Sequence, residues 1–86
     1  MISIIIPILN EGKYISDCID SILNQDNPGD EIEILCIDGM STDNTRSVIQ
    51  DIIKSHSNIR LLDNVKKTVP HALNIGILES KGEIIV

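Results

Sequence analysis

Three short segments hold the residues that could do chemistry, and the first two close apolar runs. Pro7-Ile8-Leu9-Asn10-Glu11 closes the first run, and Ile37-Asp38-Gly39-Met40-Ser41-Thr42-Asp43-Asn44-Thr45 closes the second. Ala72-Leu73-Asn74-Ile75-Gly76 is the third, with Lys81-Gly82-Glu83 beyond it. Asp38 is the most informative side chain. A carboxylate at a strand end can accept a hydrogen bond from a base imide N–H or a ribose hydroxyl. It can also stabilise the N-terminus of the following helix. The ligand reading is favoured, because ligands of open α/β sheets bind beyond the carboxyl ends of strands. Asp43, beside Ser41 and Thr42, reads most simply as an N-cap or first-turn acid.

The other polar residues carry two readings each. Pro7 would end the first strand and leave its backbone to line a pocket. Asn10 and Glu11 could touch a ligand or form a side-chain turn. Asn74 could face a ligand, but a buried, satisfied amide is the safer reading. Lys66 and Lys67 could meet a diphosphate, although solvated lysines are the default on a polar loop. His71 reads as a surface helix residue.

The elements that must position these residues alternate in type. Ile2 to Leu9 is a nearly unbroken apolar run and reads as a strand buried on both faces. From Tyr14 to Asn24, Ile15, Cys18, Ile19, Ile22 and Leu23 recur at helical spacing, so an amphipathic helix is predicted there. Asn27-Pro28-Gly29-Asp30 is a turn signal. Glu31 to Asp38 is a second strand. A second helix carries Val48, Ile49, Ile52 and Ile53 and runs to about His56. Ile59 to Leu62 is a third strand. Pro70 opens a third helix, packed through Leu73 and Ile77, with Ala72 and Gly76 as further candidates for that face. Glu83 to Val86 begins a fourth strand. The order β-α-β-α-β-α-β, with connections too long for hairpins, predicts an α/β fold with a mainly parallel sheet and helices on both faces.

Composition narrows the function. The chain has 86 residues, 42% of them hydrophobic, and 19 are Ile, which suits buried strands. A net charge of −6 argues against nucleic acid as a partner and against a polybasic membrane patch. Cys18 and Cys36 fit neither a disulfide scaffold nor a zinc site and are expected to be buried thiols in a reducing, cytoplasmic compartment. No run approaches the ~18 apolar residues of a membrane span. The five glycines permit neither GxGxxG nor GxxxxGK[ST], and no nucleophile elbow can be written. The chain stops inside an apolar run at Glu83-Ile84-Ile85-Val86, which reads as the front of a longer domain, truncated at its C-terminal end.

Taken in order, the motifs resemble the family 2 glycosyltransferases. Ile4-Ile5-Ile6-Pro7 with Asn10-Glu11 comes first, then Ser21-Ile22 and Gln25. Asp38 with Ser41-Thr42-Asp43 follows, and Asn74-Ile75-Gly76 comes last. Asp38 to Asp43, with Leu62-Asp63-Asn64 and Val69-Pro70, is most similar to the branch linked to succinoglycan-type exopolysaccharide synthesis. The resemblance implies the front portion of a GT-A, Rossmann-like domain. It implies a nucleotide-binding set of Pro7, Asn10, Glu11, Asp38, Ser41 and Asn74. It further implies an inverting enzyme moving sugar from a nucleotide donor, commonly a UDP-sugar, to a saccharide or lipid-linked acceptor. Mg²⁺ or Mn²⁺ would be bound mainly beyond Val86, and the catalytic base would lie further on, so the chain alone would be inactive. Membrane association, if any, would come through the missing part, at the inner face of the membrane. Gly39 stands where many relatives have a second acid, and Leu73 where many have Arg. The competing reading is a non-enzymatic, doubly wound nucleotide-binding or receiver-like regulatory module. A receiver would want clustered acids where this chain has Pro7-Ile8-Leu9.

Overall fold

The computed structural model describes residues 1–24 and 31–85, the last by its backbone only. The expected turn at 27–30 and Gln25 lie outside the described residues. Strands β1 (Ile2–Ile8), β2 (Ile32–Asp38), β3 (Ile59–Asp63) and β4 (Glu83–Ile85) alternate with helices α1 (Ile15–Leu23), α2 (Thr45–Ile53) and α3 (Val69–Glu79). The four strands form one parallel sheet in the order β3-β2-β1-β4. The chain therefore steps outward from β1 to β3 and then returns across β1 to lay down β4. The strand order reverses beside β1, which is where open α/β sheets hold ligands.

Side-chain alternation sends each strand's residues to two different cores. Ile8, Ile34, Cys36 and Ile59 pack against Ile15 and Ile19 of α1 and Ile49 of α2. On the other face Ile5, Leu35 and Ile37 pack against Ala72 of α3, with Leu73 and Ile75 alongside. Gly76 sets the closeness of that second contact. A methyl group there would lie 2.6–2.8 Å from side-chain carbons of Ile5.

Pro7 sits inside β1 rather than ending it. Main-chain bonds link Ile2 N–H to Glu31 O and Gly39 N–H to Ile8 O, so the even residues of β1 face β2. Pro7 faces the opposite side, where β4 pairs only with Ile2, Ser3 and Ile4. Its missing N–H thus leaves no ladder bond unmade.

At the amino ends of the strands, a buried polar knot pins β4. Ser3 Oγ donates to Glu33 Oε2 at 2.6 Å, Lys81 N–H donates to the same oxygen at 2.7 Å, and Gly82 N–H donates to Ser3 Oγ at 2.9 Å. Burial pushes the Glu33 carboxyl up. The bonds from Ser3 and Lys81, with the charges of Lys81 and Arg60, outweigh it and hold the group below its ordinary value.

Several sequence expectations need correction. Cys18 is exposed, because it lies at the edge of the α1 stripe; only Cys36 is buried. Burial pushes the Cys36 thiol up to about 12, aided by Cys18 and Asp38, so it is an inert core group. Ile77 is exposed, and the packed face of α3 runs through the expected Leu73, Ala72 and Gly76 with Ile75 in place of Ile77. Asn74 is exposed rather than buried, and His71 is half-buried rather than on the surface. Leu9 lies past the end of β1 and is exposed. Helix α2 begins at Thr45 and ends at Ile53, short of His56. Among the described residues, no helix is long and apolar enough to cross a membrane.

Candidate functional site

The loops after β1, β2 and β3 meet at the carboxyl rim of the sheet. Three non-glycine residues have positive φ among the described residues: Asn10 (52°), Met40 (62°) and Lys67 (63°). One lies in each of these loops. A left-handed conformation costs about 1–2 kcal/mol for most L-residues and persists only where the surroundings enforce it. Here hydrogen bonds do the enforcing.

Asn10 joins the first loop to the second. Its N–H donates to Ser41 Oγ at 2.8 Å, and its side-chain oxygen accepts the N–H groups of Thr42 (2.8 Å) and Asp43 (3.3 Å). Asp43 returns the link, since Gly12 N–H donates to its Oδ2 at 3.2 Å. Its other oxygen accepts from Thr45, through the N–H at 2.9 Å and through the hydroxyl. The Thr45 hydroxyl and N–H hold the Asp43 carboxyl below its usual range. Asp43 thus satisfies the first N–H of α2 from the position before Asn44, the formal N-cap, whose own side chain makes no capping bond. The first-turn role expected from sequence is realised one residue further out.

Asp38 joins the second loop to the third. Its side chain is completely buried. Ser41 donates to it twice, from N–H to Oδ2 at 2.9 Å and from Oγ to Oδ1 at 2.5 Å. Arg46, in the first turn of α2, donates from Nη1 to Asp38 Oδ2 at 2.9 Å and from Nη2 to Asp63 Oδ1 at 2.6 Å. Asp38 and Asp63 are register partners on β2 and β3, so one guanidinium spans both strand ends. Its bonds to Asp63 and then to Asp38 raise the Arg46 pKa further above its ordinary value. The result is a continuous polar chain, Asp63–Arg46–Asp38–Ser41–Asn10, sewn across three loops.

Arg46 and Asp63 of that chain line a shallow hollow of about 640 Å³ beside β3, and two smaller hollows lie along the end of β1. One, of about 130 Å³ on the α3 side, is lined by Pro7, Ile37, Gly39, Asn64, Lys67 and Thr68 among others. The other, of about 210 Å³ beside α1, is lined by Ile6, Pro7, Ile8, Glu11, Tyr14, Ile15 and Cys18. The set expected from sequence is therefore divided. Pro7 borders both of the smaller hollows and Glu11 one. Asn10, Asp38 and Ser41 are tied to one another rather than opened to either. Asn74 lies mid-helix on the exposed face of α3, apart from the rest. The side-chain turn considered for Asn10 does not form, because its oxygen reaches the β2–α2 loop instead. Glu11 starts α1 through its carbonyl, which accepts the N–H groups of Tyr14 and Ile15.

Sequence reasoning missed Arg46, and it named Asn64 only within a motif, with no role at the site. Asn64 is 2% exposed; its amide donates to Thr68 O at 2.9 Å and its N–H to Asp38 O at 2.8 Å. Arg46 had a signal. A cation in the first turn of a helix opposes the macrodipole, so its presence there points to a dedicated anionic partner.

Comparison with known proteins agrees with this architecture: the family model described as glycosyl transferase family 2 matches residues 3–86. The chain belongs to that family. Among its relatives is a dolichyl N-acetyl-alpha-D-glucosaminyl phosphate 3-beta-D-2,3-diacetamido-2,3-dideoxy-beta-D-glucuronosyltransferase of Methanococcus voltae. That protein is 44% identical over 99% of this chain, which spans 27% of its length. A solved mannosyltransferase from Pyrobaculum calidifontis, in complex with GDP-Man and Mn²⁺, superposes with a TM-score of 0.86 at 30% identity, covering 96% of this chain and 25% of its own. S. aureus TarS 1-349 in complex with UDP superposes with a TM-score of 0.78 at 25% identity, covering 98% of this chain and 25% of its own. The chain thus spans about a quarter of these relatives. Its parallel sheet is that of the front of a GT-A domain, as the family 2 resemblance implied.

Proposed function

We propose that this chain is the nucleotide-sugar-binding part of an inverting glycosyltransferase, acting in exopolysaccharide or cell-surface glycan synthesis at the cytoplasmic side of the membrane. One observation carries the reading. In a family 2 chain, three loops with enforced left-handed residues are cross-linked at the carboxyl rim of a parallel sheet, beside the strand-order reversal. Solved relatives in complex with UDP and with GDP-Man and Mn²⁺ support a nucleotide donor of this kind.

The donor's nucleoside half would settle at this rim against Pro7 and Glu11, with Asn10, Asp38 and Ser41 holding the loops in shape. A direct bond from Asp38 to a base or ribose would require Arg46 or Ser41 to release it. Asn74 would meet the ligand only through its exposed face. In the complete protein an acceptor hydroxyl oxygen would form a bond to the anomeric carbon as the bond to the donor's diphosphate breaks. A carboxylate base would take the hydroxyl proton. A divalent ion would offset charge on the departing diphosphate. The residues described here do not fit that ion. No group of three or more His, Cys, Asp or Glu side chains comes together among them, and the two rim carboxylates nearest the site already share Arg46. Metal and base would therefore be supplied from elsewhere in the complete protein.

Calorimetric titration of the complete protein with UDP and with GDP, each with Mn²⁺, tests the reading. Saturable heat with one of them is expected. No heat with either, beside a control showing folded protein, overturns it.

A further inference from the structure

We infer that Arg46 is the positioning residue of the donor rim, clamping the ends of β2 and β3 so that the three loops present one fixed surface to the nucleoside. The inference rests on the donor-binding reading above. Three observations carry it. A single side chain reaches both register-paired carboxylates, at 2.9 Å and 2.6 Å. Its buried partner, Asp38, is the residue that holds Ser41, and Ser41 in turn accepts the N–H of Asn10. The Arg46 side chain is 31% exposed, against full burial of the Asp38 side chain and 55% exposure of that of Asp63. Arg46 therefore sits at the boundary between the buried scaffold and the open rim. It also stands where the helix dipole disfavours it, so α2 gains nothing electrostatically from its charge.

A planar fork suits this task as an ammonium does not. Lysine carries a point charge and can neutralise Asp38, but it lacks a rigid fork with which to tie two carboxylates at once. Arg46→Lys should keep the fold while loosening the rim. Arg46→Met removes the clamp altogether, and Asp63→Asn loosens only its exposed arm.

The test is nucleotide affinity in the complete protein, measured with UDP and Mn²⁺ (or GDP, whichever wild type binds), beside the thermal midpoint of each variant. Nucleotide Kd is expected to rise roughly tenfold in Arg46→Lys, at a temperature where the variant is fully folded. A rise of roughly threefold is expected in Asp63→Asn. Arg46→Met should be weakest, and if it does not fold, the other two variants decide. Unchanged affinity in folded Arg46→Lys and Asp63→Asn, with only the midpoints lowered, would make the clamp merely structural and overturn the inference. If wild type binds neither nucleotide, the donor-binding reading falls and this inference falls with it. If wild type binds and the variants bind equally well, only the role of Arg46 falls.

Discussion

Asn10 shows how one residue can carry two separable structural duties. Its φ of 52° suits Asn and Gly but strains other side chains, and its oxygen accepts two N–H groups of the neighbouring loop. Asn10→Gly keeps the backbone conformation and loses the acceptor. Asn10→Ala loses the acceptor and adds left-handed strain. Denaturant unfolding should therefore show Asn10→Gly destabilised by about 1 kcal/mol and Asn10→Ala by about 2 kcal/mol. Equal losses would mean that strain plays no part. The sequence held half of this. Asn10, Asp38, Ser41 and Asp43 stood out as polar residues at strand ends, but their partners did not, because hydrogen bonds between residues about thirty apart leave no periodic trace. Arg46 was legible in principle, as one of only two arginines and the one misplaced for a helix dipole.

Helix α3 illustrates where pattern reading succeeds and where it fails at the scale of an element. Its place in the chain followed from Pro70 and the polar loop before it, and the structure begins it at Val69. Its buried face followed only in part, because apolar residues occupy most of its positions and no single stripe stands out. Ile77 and Leu78 are exposed, while Gly76 is buried. Spacing cannot reveal that a glycine is the contact point; only the approach to Ile5 does. Gly76→Ala tests this directly. Helix propensity alone would favour Ala by about 1 kcal/mol, whereas overpacking a close contact costs about 1–3 kcal/mol. The packing cost should win, giving net destabilisation by roughly 1 kcal/mol in chemical denaturation. A stabilised variant would show that α3 can lift off β1 without penalty. Strands β1 to β3 and helix α1 were legible to within a residue or two, since nearly continuous apolar runs mark the strands and helical spacing of apolar residues marks α1.

Across the whole molecule, the sheet is fastened by polar groups at both ends and by aliphatics between. The carboxyl end carries the rim and its loops. The amino end carries the Ser3–Glu33 knot that holds the start of β4 against β1. This division separates the rim, where the loops are cross-linked, from the end that keeps the strand order. It also sets the acid sensitivity of the fold. Glu33 has a folded-state pKa below its ordinary 4.5. A depressed carboxyl contributes stability that is fully present above the unfolded value and is lost as pH falls through the folded one. The Glu33 contribution should therefore hold from neutral pH to about 4.5 and decline below it. Asp43, depressed from 3.8, adds to the decline at still lower pH. Glu33→Gln removes the first of these contributions. Its thermal midpoint should lie below wild type at pH 7, where the ionised carboxylate accepts both Ser3 and Lys81. The gap should then narrow as pH falls below 4.5, where wild type protonates and loses the same advantage. Midpoints recorded by circular dichroism across pH 3 to 7 would check this, and a gap that stays constant over that range would show that the charge of Glu33 contributes nothing to the knot.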